Sequence, residues 1–356
     1  MSPLVFTLFF SVFTVCFALI NFGVLKGLVI AFGLKLPVPY LILISVLMGV
    51  LFLGATVLAR YYSGSFVRLF YIVVSHWVGF ALICGFIFFL LILPGKLLPE
   101  YKKIIFLAGT GIALLASIYA TVHALERQVK ETVIPFKEKL TLVQVSDVHF
   151  GVVNGVDYLA DLVKEINALN PDAVLFTGDL VDGTTHIDKE MLLPLKQLKS
   201  PAYFVSGNHD FIDGVETVYQ AVEEAGITIL DNKCVELKGV QLGGLSFAFY
   251  NPGLKESLDS IKFKKDKPVI LMYHEPKGTA EIEAAGVDLM LSGHTHGGQI
   301  IPFNFLVRLP YRYMAGLYKI GNLQLFVSTG CGTWGPKMRL GTDSEINLLK
   351  LEKPKV

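Results

Sequence analysis

Leu140-Thr141-Leu142-Val143-Gln144-Val145-Ser146-Asp147-Val148-His149-Phe150-Gly151 starts as an apolar, β-rich run and breaks at its C-terminal end into an Asp and a His two positions apart. Alternate strand residues face the same side, so this spacing predicts Asp147 and His149 pointing together into the crevice beyond the strand. Open α/β sheets place their chemistry there, outside the carboxyl ends of the strands. A hard oxygen donor beside an imidazole suits a divalent transition metal. An isolated Asp-x-His after a strand is more often a turn residue and a surface imidazole, so the rest of the chain decides.

Downstream, strands and helices alternate. Val156, Leu159, Leu162, Val163, Ile166 and Leu169 recur at helical spacing, with Pro171 after the helix end. Ala173–Thr177 reads as a buried strand ending in Gly178-Asp179, and Ala202–Ser206 as another ending in Gly207-Asn208-His209-Asp210. A helix is expected at Glu190–Leu198, where Pro194 can mark its true start. A third is expected at Gly214–Ala225, then a short strand at Ile227–Leu230. Further strands are expected at Gln241–Tyr250, at Pro268–Tyr273 ending in His274, and at Val287–Ser292 ending in Gly293-His294-Thr295-His296. Such alternation argues for a layered α/β sandwich.

Five strand ends therefore carry nitrogen and oxygen donors, and five of the eight histidines lie there. Each has an ordinary explanation as a turn, a helix cap or a core His. Unconnected turns have no reason to bring only such donors to five strand ends. The donors divide into two sets: Asp147, His149, Asp179 and His296 for one ion, and Asp179, Asn208, His274 and His294 for another, with Asp179 shared. Two ions bridged by a carboxylate about 3.5–4 Å apart clamp both oxygens of an in-line phosphoryl displacement. Without thiolates, the set suits Mn, Fe or Zn.

Asp-x-His, Gly-Asp-x-x-Asp, Gly-Asn-His-Asp and Gly-His-Thr-His, in this order over residues 140–351, resemble the calcineurin-like metallophosphoesterase family. The resemblance implies a four-layer sandwich around two divalent ions and attack on phosphorus by a metal-bridging hydroxide. It also implies that His209 contacts the phosphate or protonates the leaving oxygen, oriented by Asp210. Asp182 would support the metal ligands from behind. Gly293-His-Thr-His-Gly-Gly-Gln-Ile-Ile-Pro302 and Ser328-Thr-Gly-Cys-Gly-Thr-Trp-Gly-Pro336, leading to Arg339-Leu-Gly341, resemble the membrane-associated branch. That branch includes bacterial phosphodiesterases and UDP-diacylglucosamine pyrophosphatases. Thr342-Asp343-Ser344-Glu345 departs from the Pro-rich step of many relatives, at the approach to the last strand.

The N-terminal third is a different material. The chain has 356 residues, is 53% hydrophobic and has a mean hydropathy of +0.56, high for a soluble protein. Residues 1–123 hold seven Lys/Arg and one acid, a net of +6; the rest, with 24 basic and 29 acidic residues, carries −5 against a total of +1. Four charge-free runs, Leu4–Leu25, Val38–Ala59, Leu69–Leu93 and Ile104–Val122, match the ~20 residues a helix needs to cross a bilayer. Met-Ser-Pro gives no positive segment for a secretory signal. The expected architecture is a four-helix transmembrane bundle over 1–123, a juxtamembrane linker over 124–139 and the phosphoesterase domain over 140–356. Five lysines in the first and third connectors, against two arginines in the second, place the catalytic domain outside the cytoplasm. His76, inside the third span with no acidic partner there, reads as a packing residue. The four cysteines, at 16, 84, 234 and 331, give neither zinc spacing nor a disulfide framework.

The acidic catalytic part lacks a Lys/Arg footprint, so nucleic acid is not the expected partner. Phe303-Asn-Phe-Leu-Val-Arg308-Leu-Pro-Tyr-Arg312-Tyr-Met314 interleaves aromatics with two arginines, as a loop against lipid headgroups would. A lipid-linked phosphodiester or pyrophosphate is the expected substrate, with Arg308, Arg312 and Arg339 as anion contacts. A phosphoprotein or small-molecule phosphatase, or a non-catalytic phosphoester-binding membrane protein, are the alternatives.

Overall fold

The computed structural model describes residues 3–185, 187–212, 214–247 and 253–354. It divides into two units, Met1–Leu125 with Ile300–Phe303 and Gly335–Gly341, and Glu126–Gln299 with Asn304–Trp334 and Thr342–Val356.

The first unit holds α1 (Pro3–Phe32), α2 (Val38–Tyr61), α3 (Ser65–Leu97) and α4 (Lys102–His123). The charge-free runs become helices because nothing inside them competes with the backbone; α1 stops where Gly33 adopts φ +66°, α2 starts behind Pro37, and α3 ends just before Pro99. All four helices are long and apolar enough to cross a membrane. Leu19, Leu47, Phe66, Leu93 and Leu115 remain exposed on their outer surfaces, as lipid-facing side chains would. Inside, Trp77 Nε1–H donates to Asn21 Oδ1 at 2.8 Å, tying α3 to α1 through the fully buried Asn21. His76 Nδ1 lies 2.8 Å from the Ile72 carbonyl of its own helix, which suits a packing role.

The second unit opens with β1 (Arg127–Pro135) and β2 (Leu140–Val145), followed by α5 (Val156–Ala168) and β3 (Ala173–Thr177). Next come β4 (Ala202–Val205), α6 (Asn208–Ile212), α7 (Val215–Glu224), β5 (Thr228–Ile229), β6 (Lys233–Leu237), β7 (Val240–Leu245) and α8 (Leu254–Ser260). The chain continues through β8 (Val269–Tyr273), α9 (Thr279–Ala284), β9 (Leu289–Ser292), α10 (Phe303–Val307), β10 (Gly316–Ile320), β11 (Leu323–Val327) and β12 (Ser344–Glu352). Two six-stranded mixed sheets result, ordered β1-β12-β2-β3-β4-β5 and β10-β11-β9-β8-β7-β6.

Leu140, Leu142 and Leu175 of the first sheet share a core with Leu242, Ile270, Met272 and Leu289 of the second. On the other face of the first sheet, Val143, Val145, Val174 and Phe176 pack with Leu159, Leu162 and Ile166 of α5 and Val218 and Val222 of α7. Leu271, Met290 and Leu325 pack with Leu258 of α8 and Ile282 of α9 beyond the second. The layers run helix, sheet, sheet, helix. Strands buried on both faces read as continuous apolar runs, which is why β2, β3, β8 and β9 lack alternation. Since β2–β3–β4 and β7–β8–β9 run parallel, each set sends its carboxyl ends to one edge.

Three expectations change. The stretch read as a juxtamembrane linker is largely β1, paired in parallel with β12 from Arg127↔Ser344 to Pro135↔Glu352. Its alternating burial is that of an edge strand, and Arg127 fastens it to Glu165 at 2.6 Å beneath the Tyr158 ring. The helix expected at Glu190–Leu198 is a 3-10 segment, Lys189–Gln197, with Pro194 inside it. Where a strand was expected at Gln241–Tyr250, β7 ends at Leu245, and residues 248–250 lie outside the described residues.

Candidate metal centre

Asp147 and His149 lie beyond the end of β2, and pleating does not aim them. Asp147, His149, Asp179, His294 and His296 all have left-handed backbone, with φ of 53, 48, 52, 70 and 49°. Non-glycine residues rarely adopt this region, and its concentration on five donors is strain gathered at a functional site. Two glycines make the close approach possible. A Cβ on Gly207 would collide with Asp179 Oδ1, and one on Gly293 with Ser146 Oγ and Asp147 Oδ2.

Asp147, His149 and His296 form one buried cluster whose ligand atoms lie within 4.8 Å of one another. His149 Nε2 is 3.0 Å from His296 Nε2, which is 3.4 Å from Asp147 Oδ1. Asp179, His274 and His294 form a second cluster. Asp179 Oδ2 is 3.1 Å from His274 Nε2 and 3.9 Å from His149 Nε2, so one carboxylate oxygen addresses both clusters. His274 Nε2 is also 3.2 Å from His294 Nδ1.

The far nitrogens of these rings are engaged elsewhere. His274 Nδ1–H donates to the Thr177 carbonyl at 2.8 Å, and His149 Nδ1 is 3.3 Å from Asp182 Oδ1. The bond to Thr177 holds a proton on His274 Nδ1 and turns that ring's Nε2 inward. Burial disfavours a charged His274, yet the Asp179 carboxylate outweighs it and pushes the ring up to about 10. Burial likewise works against ionised Asp179, but His274 holds its carboxyl well below the usual range. His294 is pushed down to about 3 by burial and by His274. A neutral His294 keeps a lone pair free for a cation, beside an Asp179 carboxylate that stays ionised. Asn208 Oδ1 is buried with no hydrogen-bond partner among the described residues. An orphaned amide oxygen costs about 1–3 kcal/mol, which coordination relieves. With only nitrogen and oxygen donors, the site fits hard or borderline divalent ions.

Residues 140–298 match the family described as calcineurin-like phosphoesterase. An uncharacterized metallophosphoesterase of Campylobacter jejuni is 32% identical over 288 residues, which cover 76% of this chain and 76% of that protein. The chain belongs to the calcineurin-like metallophosphoesterase family. An uncharacterized metallophosphoesterase of Helicobacter pylori is 39% identical over 235 residues, 63% of this chain and 64% of that one. The chain thus spans 64% of the length of that relative. A zebrafish (Danio rerio) transmembrane protein with metallophosphoesterase domain is 28% identical over 270 residues, 68% of this chain and 61% of that protein. Hydrolases of this family use divalent metals, in accord with the clustered donors.

In this phosphoesterase domain the six His and Asp donors expected from the sequence come together, and His209 joins them, its ring grouping with His149 and Asp179; the seventh, Asn208, opens α6 beside His209. Its backbone N–H donates to Asp179 Oδ1 at 2.8 Å, and Nδ1–H to the Asp182 carbonyl at 2.8 Å. The orienting role expected of Asp210 therefore belongs to that carbonyl. Asp210 instead accepts from the N–H groups of Asp179, Val181 and Gly207 at 3.0, 3.1 and 2.7 Å, bracing the loop that carries Asp179. Asp182 backs His149 as expected, and Thr184 Oγ1–H, unforeseen, donates to its other oxygen at 2.5 Å. Arg308 and Arg312 are exposed, Arg312 with its guanidinium 5.6 Å from the Tyr313 ring. Arg339, also expected as an anion contact, is fully buried and grouped with the helical unit, its backbone N–H donating to the Ala120 carbonyl at 2.8 Å. Trp334, with its ring 6.2 Å from that of His209, and Tyr311, 2.6 Å from His294, were also not singled out.

Proposed function

We propose that the chain is a membrane-anchored phosphohydrolase, dependent on two divalent ions, that cleaves a phosphodiester or pyrophosphate bond of a lipid-linked substrate. The observation that carries this reading is the pair of donor clusters meeting at Asp179. Asp147, His149, Asp179 and His296 would hold one ion, and Asp179, Asn208, His274 and His294 the other. The bound ions supply Lewis-acid activation of water and of the phosphoryl oxygens. His209, held at Nδ1 by the Asp182 carbonyl, presents Nε2–H to the leaving oxygen and returns to neutral imidazole as it gives up that proton.

A lipid substrate is supported by the segment around α10. Phe305, Leu306 and Leu309 are 60, 59 and 81% exposed and alternate with the exposed Arg308 and Arg312. Apolar side chains interleaved with arginines suit the boundary between headgroups and acyl chains. Arg308 and Arg312 would take anionic headgroup oxygens there. Each buried methylene of a lipid is worth ~0.8 kcal/mol. A long-chain phosphodiester should accordingly exceed its short-chain soluble analogue in kcat/KM by more than about tenfold, a preference that Arg312→Ala reduces. Equal turnover of both analogues in wild type and variant would contradict the lipid assignment.

The four helices are assigned to four passes, with the phosphoesterase domain outside the cytoplasm on the count of connector lysines. Lys265 is exposed. In a Cys16→Ser, Cys234→Ser background, Lys265→Cys should react with an impermeant maleimide on intact cells. Protection until the membrane is broken would put the domain in the cytoplasm.

A further inference from the structure

We infer that Tyr311 and Glu275 form a positioning pair that fixes the His294 ring with its Nδ1 lone pair turned toward the second ion, an inference that rests on the two-ion reading above. The observation is a chain of short contacts outside the motif residues. His294 Nε2 lies 2.6 Å from Tyr311 Oη, and Tyr311 O–H donates to Glu275 Oε1 at 2.8 Å. Lys277 Nζ–H donates to the same carboxylate oxygen at 2.9 Å, and its ammonium sits 4.5 Å from the centre of the Tyr311 ring.

Proton bookkeeping settles which nitrogen faces the ion. Tyrosine has one hydroxyl proton, and here it goes to Glu275, an acceptor only. The 2.6 Å contact must then be made by a proton on His294 Nε2. A neutral imidazole carries one N–H, so Nδ1 is left with its lone pair. That Nδ1 lies 3.2 Å from His274 Nε2, in a ring whose Nδ1–H is donated to Thr177. An ion that takes the place of any proton between the two nitrogens would find both lone pairs facing it. The partners on the far side of each ring hold both in that orientation.

The two halves of the device come from different places. Glu275 directly follows His274 at the end of β8, so one turn of chain supplies a donor for the ion and the carboxylate that directs the other His. Tyr311 lies four residues beyond α10, between Arg308 and Arg312. The segment offered to a headgroup is thereby tied to a metal ligand by one hydroxyl. Any shift of that segment loosens His294 rather than removing it.

Mutation of a partner behind a metal ligand typically weakens metal affinity by about 10–100-fold. The test is Mn²⁺ titration of the full chain in detergent, stripped by chelator, followed by calorimetry and by electron paramagnetic resonance of the bound ion. Wild type should bind two ions. Tyr311→Phe removes only the hydroxyl and should weaken one of them by about 10–100-fold while leaving the other unchanged. Glu275→Gln, which keeps the shape, should weaken the same ion. Circular dichroism of the stripped proteins should be unchanged, separating the effect from unfolding. Two ions bound as in wild type by both variants would overturn the pair's role while leaving the two-ion reading intact. A single ion in wild type would overturn both.

Discussion

Asp179→Asn is expected to reduce phosphodiester hydrolysis nearly to background. Asp179 is 2% exposed, and its Oδ2 is the atom placed within 3.1 Å of His274 and 3.9 Å of His149. Asparagine preserves the shape and can still accept the His209 N–H at Oδ1, a 2.8 Å bond in the native protein. It loses the negative charge that the two proposed ions would share. Its amide N–H can also donate to the His274 Nε2 lone pair, filling the position of an ion with a hydrogen bond. The loss should exceed the roughly 10–100-fold seen for partners that only support a ligand. Initial rates on bis-p-nitrophenyl phosphate with excess Mn²⁺ measure it. A rate within a few-fold of wild type would remove Asp179 as the bridge.

His209→Ala should keep its metal and lose rate. The backbone N–H that reaches Asp179 survives the substitution, and the ring is anchored to a carbonyl, so coordination does not depend on it. General acid assistance is worth roughly 10²–10⁴-fold. The loss should be large for an alkoxide leaving group and small for p-nitrophenolate, which departs without a proton. Equal losses on both substrates would leave His209 with phosphate contact alone.

Much of this centre was legible because metal chemistry restricts residue type as well as place. Asp147, His149, Asp179, Asn208, His274, His294 and His296 stand out as polar donors at the ends of apolar runs, and burial of those runs on both faces makes them easy to find. The aiming of the donors was not legible. Period-2 alternation would orient Asp147 and His149, whereas left-handed backbone at both does so, and that conformation leaves no trace in a non-glycine residue. The linker proved to be β1 because an edge strand half in water carries the charged residues of a connector. Tyr311 and Glu275 are 36 residues apart, and no local pattern links a tyrosine in an aromatic stretch to an acid beside a ligand. Asp210 follows His209 in sequence, which suggested a partnership, but α6 turns its carboxylate to three amides instead. Arg339 sits in a motif that also carries Trp334, and only the fold shows that it is fully buried.

Counting the bound ions decides whether two divalent metals share Asp179. Elemental analysis of purified, active full-length protein should find two divalent metal ions per chain after Mn²⁺ loading, with Asp179→Asn retaining fewer. One tightly held ion in active wild-type protein, with no gain in rate on adding Mn²⁺, would contradict the two-ion centre.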